Sequence, residues 1–113
     1  MNKQNIILIG MPGAGKSSVG VILAKVLGYE FIDTDLVIQH REKRLLREII
    51  ADEGNEGFLA IENEVNATLE ANKSVIAPGG SAIYGKEAME HFKEIGTIVY
   101  LKLSYEDLAK RLG

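Results

Sequence analysis

The hydrophobic positions of this chain change period several times, and each change marks an element. Asn5 to Ile9 is a short run of aliphatic, β-branched residues closed by Gly10, the pattern of a buried strand entering a tight loop. From Lys16 the period lengthens. Val19, Ile22, Leu23, Val26 and Leu27 fall at i, i+3, i+4, i+7 and i+8, which predicts a helix with one apolar face, and Gly28 stands where a left-handed cap would end it. Tyr29 to Asp33 predicts a second strand. Leu45, Leu46, Ile49 and Ile50, then Phe58, Ile61, Val65 and Leu69 beyond Gly54, return to helical spacing and are expected to cover one side of the sheet. Ser74 to Ala77 predicts a third strand, broken by Pro78, Gly79 and Gly80, where proline has no N–H for the ladder and glycine admits positive φ. Thr97 to Leu103 predicts a fourth strand, and Ser104 with Asp107 opens a last helix in the S-x-x-D form.

Strands alternating with helices point to an α/β fold with a parallel sheet. Right-handed crossovers then gather the loops that follow the strands at one edge. That edge collects Gly10 to Ser17, Asp33 to Asp35, and Pro78 to Ser81, so each polar or glycine-rich motif lies at a strand end.

Composition narrows the class. At 113 residues, with 46% hydrophobic and 26% charged residues, the chain is sized for one globular domain, 1–113. A formal net charge of -3 provides no general basic surface for nucleic acid, and no nucleic-acid partner is expected. The one dense basic stretch, His40 to Arg47, contains Glu42 and reads as a solvated helix face. The chain has no cysteine, which excludes disulfides and thiolate metal sites. Ile6 to Ile9 is too short for a signal segment or a membrane span, so no membrane partner is expected and the location is expected to be cytoplasmic.

Candidate chemistry begins with the first loop. Gly10, Gly13, Gly15, Lys16 and Ser17 fit the pattern G-x-x-x-x-G-K-[ST] without a mismatch, between a strand and a helix as the pattern requires. Glycines let successive N–H groups turn inward around an anion, and the helix adds its positive end. The phosphates of ATP are therefore expected on Gly13, Ala14, Gly15, Lys16, Ser17 and Ser18, with the Lys16 ammonium on the β and γ phosphates and the Ser17 hydroxyl on Mg²⁺. Asp33 and Asp35, two residues apart, would leave one face of a regular strand together. One could then serve Mg²⁺ and the other accept a proton from an attacking hydroxyl. The competing reading makes Asp35 a helix N-cap and Asp33 a turn residue.

The glycine loop, the stretch Phe31 to Asp35, the segment Gly54 to Glu62 and the Pro78-Gly79-Gly80 loop occur together in the order and spacing of shikimate kinases, and the chain resembles that family along essentially its whole length. The resemblance implies a three-layer P-loop kinase fold, with a four-stranded parallel sheet in the order 2-3-1-4. It also implies Asp33 on Mg²⁺, Asp35 as the base on the acceptor hydroxyl, Gly79 and Gly80 against a small-molecule acceptor, and Arg111 on the adenine face, where a terminal arginine also suits the helix dipole. The family continues past the equivalent of Gly113 into an arginine-rich lid, a fifth strand and an adenine loop, so this chain is expected to be a kinase domain cut before them.

Two positions depart from the pattern. The family has G-E-x-x-F-R-x-x-E, whose arginine clamps the carboxylate of shikimate, whereas here Leu59 follows Phe58. The third glycine of the family's glycine loop is Ser81. A replacement cation for that carboxylate would have to come from Arg41, Lys43, Arg44 or Arg47. The expected activity is transfer of the γ-phosphoryl group of MgATP to a hydroxyl of a small metabolite, with shikimate the best named acceptor. A kinase for gluconate or a nucleoside, and a nucleotide-binding module without catalysis, stand as alternatives.

Overall fold

The strands of a parallel sheet are covered on both faces, so their sequences run almost continuously apolar, with alternate residues serving opposite sides. That rule organises the structure, a computed structural model describing residues 4–10 and 16–101. In chain order it contains β1 (Asn5–Gly10), α1 (Lys16–Leu27), β2 (Glu30–Asp33), α2 (Thr34–Glu42), α3 (Leu46–Ala67), β3 (Ser74–Ala77), a 3-10 turn (Ala82–Tyr84), α4 (Lys86–Ile95) and β4 (Gly96–Leu101). The sheet is parallel throughout, in the order β2-β3-β1-β4. The four-stranded α/β sheet and its order agree with the expectation from sequence.

Ile7, Ile9, Ile76 and Ile32 point to the face where α4 packs with Phe92 and Ile95. Leu8, Val75 and Phe31 point to the opposite face, where α1 packs with Ala24, Val19 and Leu23. Ile7 and Leu8 are both essentially unexposed. Each such side chain contributes about 1.5–3 kcal/mol by burial, so the central strand β1 anchors both layers. At its start the buried Asn5 donates to the carbonyls of Ala71 and Ile95, each at 2.9 Å, and accepts from the Ser74 N–H at 3.0 Å. One side chain thereby ties the beginning of β3 to the end of α4.

Helix α1 begins and ends as expected but turns a different stripe inward. Gly20 and Ala24 are its buried residues, while Ile22 is 54% and Val26 76% exposed. Close approach explains the rotation: a Cβ on Gly20 would stand 2.6 Å from the Phe31 ring, so small residues face the sheet. Gly28 takes φ +71°, and the Tyr29 N–H returns to the Ala24 carbonyl at 2.8 Å, closing the helix in a Schellman turn. Tyr29 therefore belongs to this cap, and β2 starts one residue later than its pattern predicts.

The two apolar runs on either side of Gly54 join into α3, kinked at Gly54, whose φ is 75°. The expectation that they would cover the sheet is corrected. Ile38, Ile49 and Val65 form a separate cluster with Val37, Leu46, Phe58 and Ile61, and α3 packs chiefly on α2, α4 and the 3-10 turn. The pair α2–α3 is thus a flank beside the strand ends, which leaves an edge open for ligands. The predicted last helix from Ser104, with Arg111, lies outside the described residues, as do Leu103 and Gly13 to Gly15. Among the described residues no helix is long and apolar enough to cross a membrane.

Candidate active site at the strand ends

Three parallel strands end side by side, and each end continues into a polar segment. β1 leads towards Lys16 at the start of α1, β2 runs into Asp33 and Asp35, and β3 runs into Pro78, Gly79 and Gly80. These segments enclose a cavity of about 270 Å³ lined by Lys16, Ser17, Ser18, Asp33, Asp35, Ala77, Pro78, Gly79 and Gly80. Crevices at the carboxyl ends of parallel strands are where open α/β sheets bind ligands. The Lys16 ammonium donates to the Gly10 carbonyl at 3.4 Å, folding back over the end of β1. Helix α1 directs its N-terminal end, with Lys16 and Ser17, at the same space, so its dipole and a full positive charge favour an anion there.

The two aspartates reach this cavity by a route other than strand alternation. Asp33 ends β2 and is the N-cap of α2, where its Oδ1 accepts from the Asp35 N–H at 2.9 Å. Asp35 sits in the first turn of that helix. The cap role is therefore real but belongs to Asp33, and it orients Asp35 as well as closing the helix. Burial pushes the Asp35 carboxyl above its ordinary value, and Asp33 adds to the rise, while Lys16 draws it back down. A carboxylate of raised basicity, close to a cation, suits proton acceptance from a hydroxyl.

Sequence reading assigned no role to Glu62, which the fold brings to the same place. It is 2% exposed, on the inward face of α3. Its Oε1 accepts from the Ser81 hydroxyl at 2.7 Å. A Cβ on Gly79 would stand 3.0 Å from Glu62 Oε2 and 3.0 Å from Asp35 Oδ1, so two carboxyls crowd this glycine. Gly79 is required for space, since Gly28 and Gly54 are the glycines with positive φ among the described residues. Gly80 faces open space. The sequence signal was present but polar: Phe58, Glu62, Val65, Asn66 and Leu69 share one helical face, and a charge in such a stripe calls for a partner.

Burial pushes the Glu62 carboxyl up; the Ser81 hydrogen bond opposes that, and the Asp35 charge adds to it. The folded state then holds this proton more tightly than the unfolded chain. Its contribution declines as pH rises from the ordinary carboxylate range through the raised value. Glu62→Gln, which cannot ionise, should melt higher relative to the native chain at about pH 8 than at about pH 4. Thermal denaturation followed by circular dichroism at both pH values checks this, and an equal difference at the two would contradict it.

Of the residues expected from sequence, Lys16, Ser17, Ser18, Asp33, Asp35, Gly79 and Gly80 meet in one cavity. Leu59 does not line it. It faces a neighbouring hollow of about 300 Å³ with Asn63, Ser81, Tyr84 and Lys86. Of the suggested replacement cations, Arg44 pairs with Glu42, Asp52 and Glu53, and Arg41 with Glu42 and Glu64. Lys43 and Arg44 border a different hollow, with Gln39 and His40.

The chain is similar to known proteins along nearly its whole length. The family model for shikimate kinase matches residues 12–113. The chain is 39% identical over 110 residues to shikimate kinase 2 of Yersinia pseudotuberculosis, a match that covers 97% of this chain and 63% of that relative. It spans, then, 63% of the length of the curated relatives it matches. Among solved structures, the shikimate kinase of Acinetobacter baumannii, in complex with shikimate, superposes with a TM-score of 0.80 and 36% identity, covering 96% of this chain and 61% of that one. The shikimate kinase of Bacteroides thetaiotaomicron superposes with a TM-score of 0.78 and 32% identity, over 96% of this chain and 62% of that one. With the family model spanning nearly the whole chain, and Lys16, Asp33, Asp35, Gly79 and Gly80 gathered at the strand ends, this chain belongs to the shikimate kinase family.

Proposed function

We propose that the protein containing this chain transfers the γ-phosphoryl group of ATP to a hydroxyl of shikimate, giving shikimate 3-phosphate. The observation that carries this reading is the single cavity shared by Lys16, Asp33, Asp35, Gly79 and Gly80, in a chain of the shikimate kinase family. The cysteine-free composition fits a cytoplasmic enzyme.

The residues divide the work by charge. Gly13, Ala14 and Gly15 offer backbone N–H groups to the phosphates, and Lys16 stabilises the charge that develops on them during transfer. Ser17 and Asp33, oxygen donors lining one cavity, suit a magnesium ion that keeps most of its waters and, when bound, neutralises phosphate charge. Asp35, which lines the same cavity, takes the proton of the acceptor hydroxyl as its oxygen bonds to the γ-phosphorus and the bond to the departing ADP oxygen breaks. Gly79 and Gly80 let the acceptor approach the backbone beyond β3. By the family resemblance Arg111 would serve the adenine.

The test is ADP release in the presence of MgATP with shikimate, gluconate or a nucleoside as acceptor. Turnover with shikimate well above the other two is expected. Preference for gluconate or a nucleoside would replace this reading by that of a related kinase. Nucleotide binding without turnover on any of the three would make the protein a binding module.

A further inference from the structure

The strand-end cavity can receive a hydroxyl, but it disfavours a carboxylate. Asp33 and Asp35 are its acids, and Lys16, the one cation among the described residues that line it, serves the phosphates. A negatively charged group on the acceptor must therefore lie outside this space. The loop after β3 offers the way out, since Gly80 lines the strand-end cavity and the next residue, Ser81, lines the hollow that Leu59 faces. At about 300 Å³ that hollow has room for part of a small metabolite.

Most polar groups of the hollow are already engaged. The Ser81 hydroxyl donates to Glu62 at 2.7 Å, so it has no proton left to give. Asn63 accepts from the Ala88 N–H at 3.0 Å and donates to Glu87 at 2.9 Å, which occupies the one acidic side chain of the lining. Lys86, at the start of α4, is different. It is the only cation among the residues that line the hollow, and it has no ion pair among the described residues. None of Arg41, Lys43, Arg44 and Arg47, the cations expected from sequence, lines either space. Leu59 and Ala60 add an apolar wall, beside which an ion pair is screened less than in open water.

We propose that Lys86 is a specificity-determining residue that holds the carboxylate of the acceptor in this hollow, while the ring reaches past Ser81 to present its reacting hydroxyl to Asp35. This rests on the acceptor reading given above. Lysine offers a compact charge on a flexible stem, without the planar fork of a guanidinium, so it selects for negative charge more than for shape. Acceptors without a negative charge forgo the contact.

The experiment measures KM and kcat for shikimate and for its primary amide, which keeps the ring hydroxyls and loses the charge, in the native protein and in Lys86→Ala, Lys86→Glu and Lys86→Arg. Lys86 is exposed, and none of the three replacements is a poor helix former, so the fold should persist. Lys86→Ala should raise the KM for shikimate about tenfold, the scale of one lost hydrogen bond to a charged group. It should leave kcat within about twofold and the KM values for the amide and for MgATP unchanged. Lys86→Glu should raise the shikimate KM further without affecting the amide, and Lys86→Arg, which keeps the charge, should preserve the native preference for shikimate. If the ratio of the two KM values is the same in the native protein, Lys86→Ala and Lys86→Glu, the role given to Lys86 is overturned, even where all KM values rise together as a structural change would make them. A native protein that phosphorylates neither acceptor overturns the acceptor reading, and this proposal with it, an outcome read without any substitution.

Discussion

Replacing Lys16 with alanine is expected to abolish phosphoryl transfer and to weaken MgATP binding by about 30-fold to several thousand-fold. The estimate follows from the cost of removing one partner of a desolvated charge pair, about 2–5 kcal/mol. Lys16 is the lysine of a complete phosphate-loop pattern, it starts α1, and it lines the cavity at the strand ends. The substitution should leave the fold intact, because alanine is a good helix former and, among the described residues, the Lys16 ammonium makes one hydrogen bond, at 3.4 Å to the Gly10 carbonyl. Nucleotide titration by calorimetry, beside circular dichroism, separates lost binding from lost folding. Unaltered affinity together with unaltered turnover would remove the phosphate-binding role from this loop.

The second large effect is expected at Asp35. Asp35→Asn keeps the size and first-turn position of the side chain but removes its basicity. It should lower kcat by about 10²–10⁴, the usual contribution of a positioned general base, while MgATP affinity changes little. The native protein should also gain activity as pH rises through an Asp35 value that burial and Asp33 hold above the ordinary carboxylate range, because the base works in its deprotonated form. That acid limb should vanish in the variant. A kcat unaffected by Asp35→Asn would show that the hydroxyl proton leaves by another route and would return Asp35 to a role in local helix structure. Asp33→Asn is the useful control: asparagine caps a helix about as well as aspartate, so any change it causes in magnesium dependence reports on charge and not on the cap.

What the sequence alone determined is what short-range chemistry writes. Continuous apolar runs in Ile6 to Ile9 and Val75 to Ile76 specify strands buried on both faces, because successive residues point to opposite sides of the sheet. Gly28 marks a helix end through a backbone angle that side chains avoid, and the glycines with Lys16 and Ser17 spell a phosphate loop within eight residues. Each of these depends on neighbours along the chain, so no knowledge of the fold is needed. Tertiary structure decided the rest. Which stripe of α1 turned inward was set by the ring of Phe31 against Gly20, a contact between separate elements that hydrophobic spacing cannot foresee. The flank formed by α2 and α3 depends on their packing against each other, since their apolar faces fit a partner helix as well as a sheet. Glu62 read as one acidic residue on a helix until folding set it beside Ser81, Gly79 and Asp35. Its meaning arises from burial and from donors supplied by distant segments, quantities that exist only once the chain has closed around it.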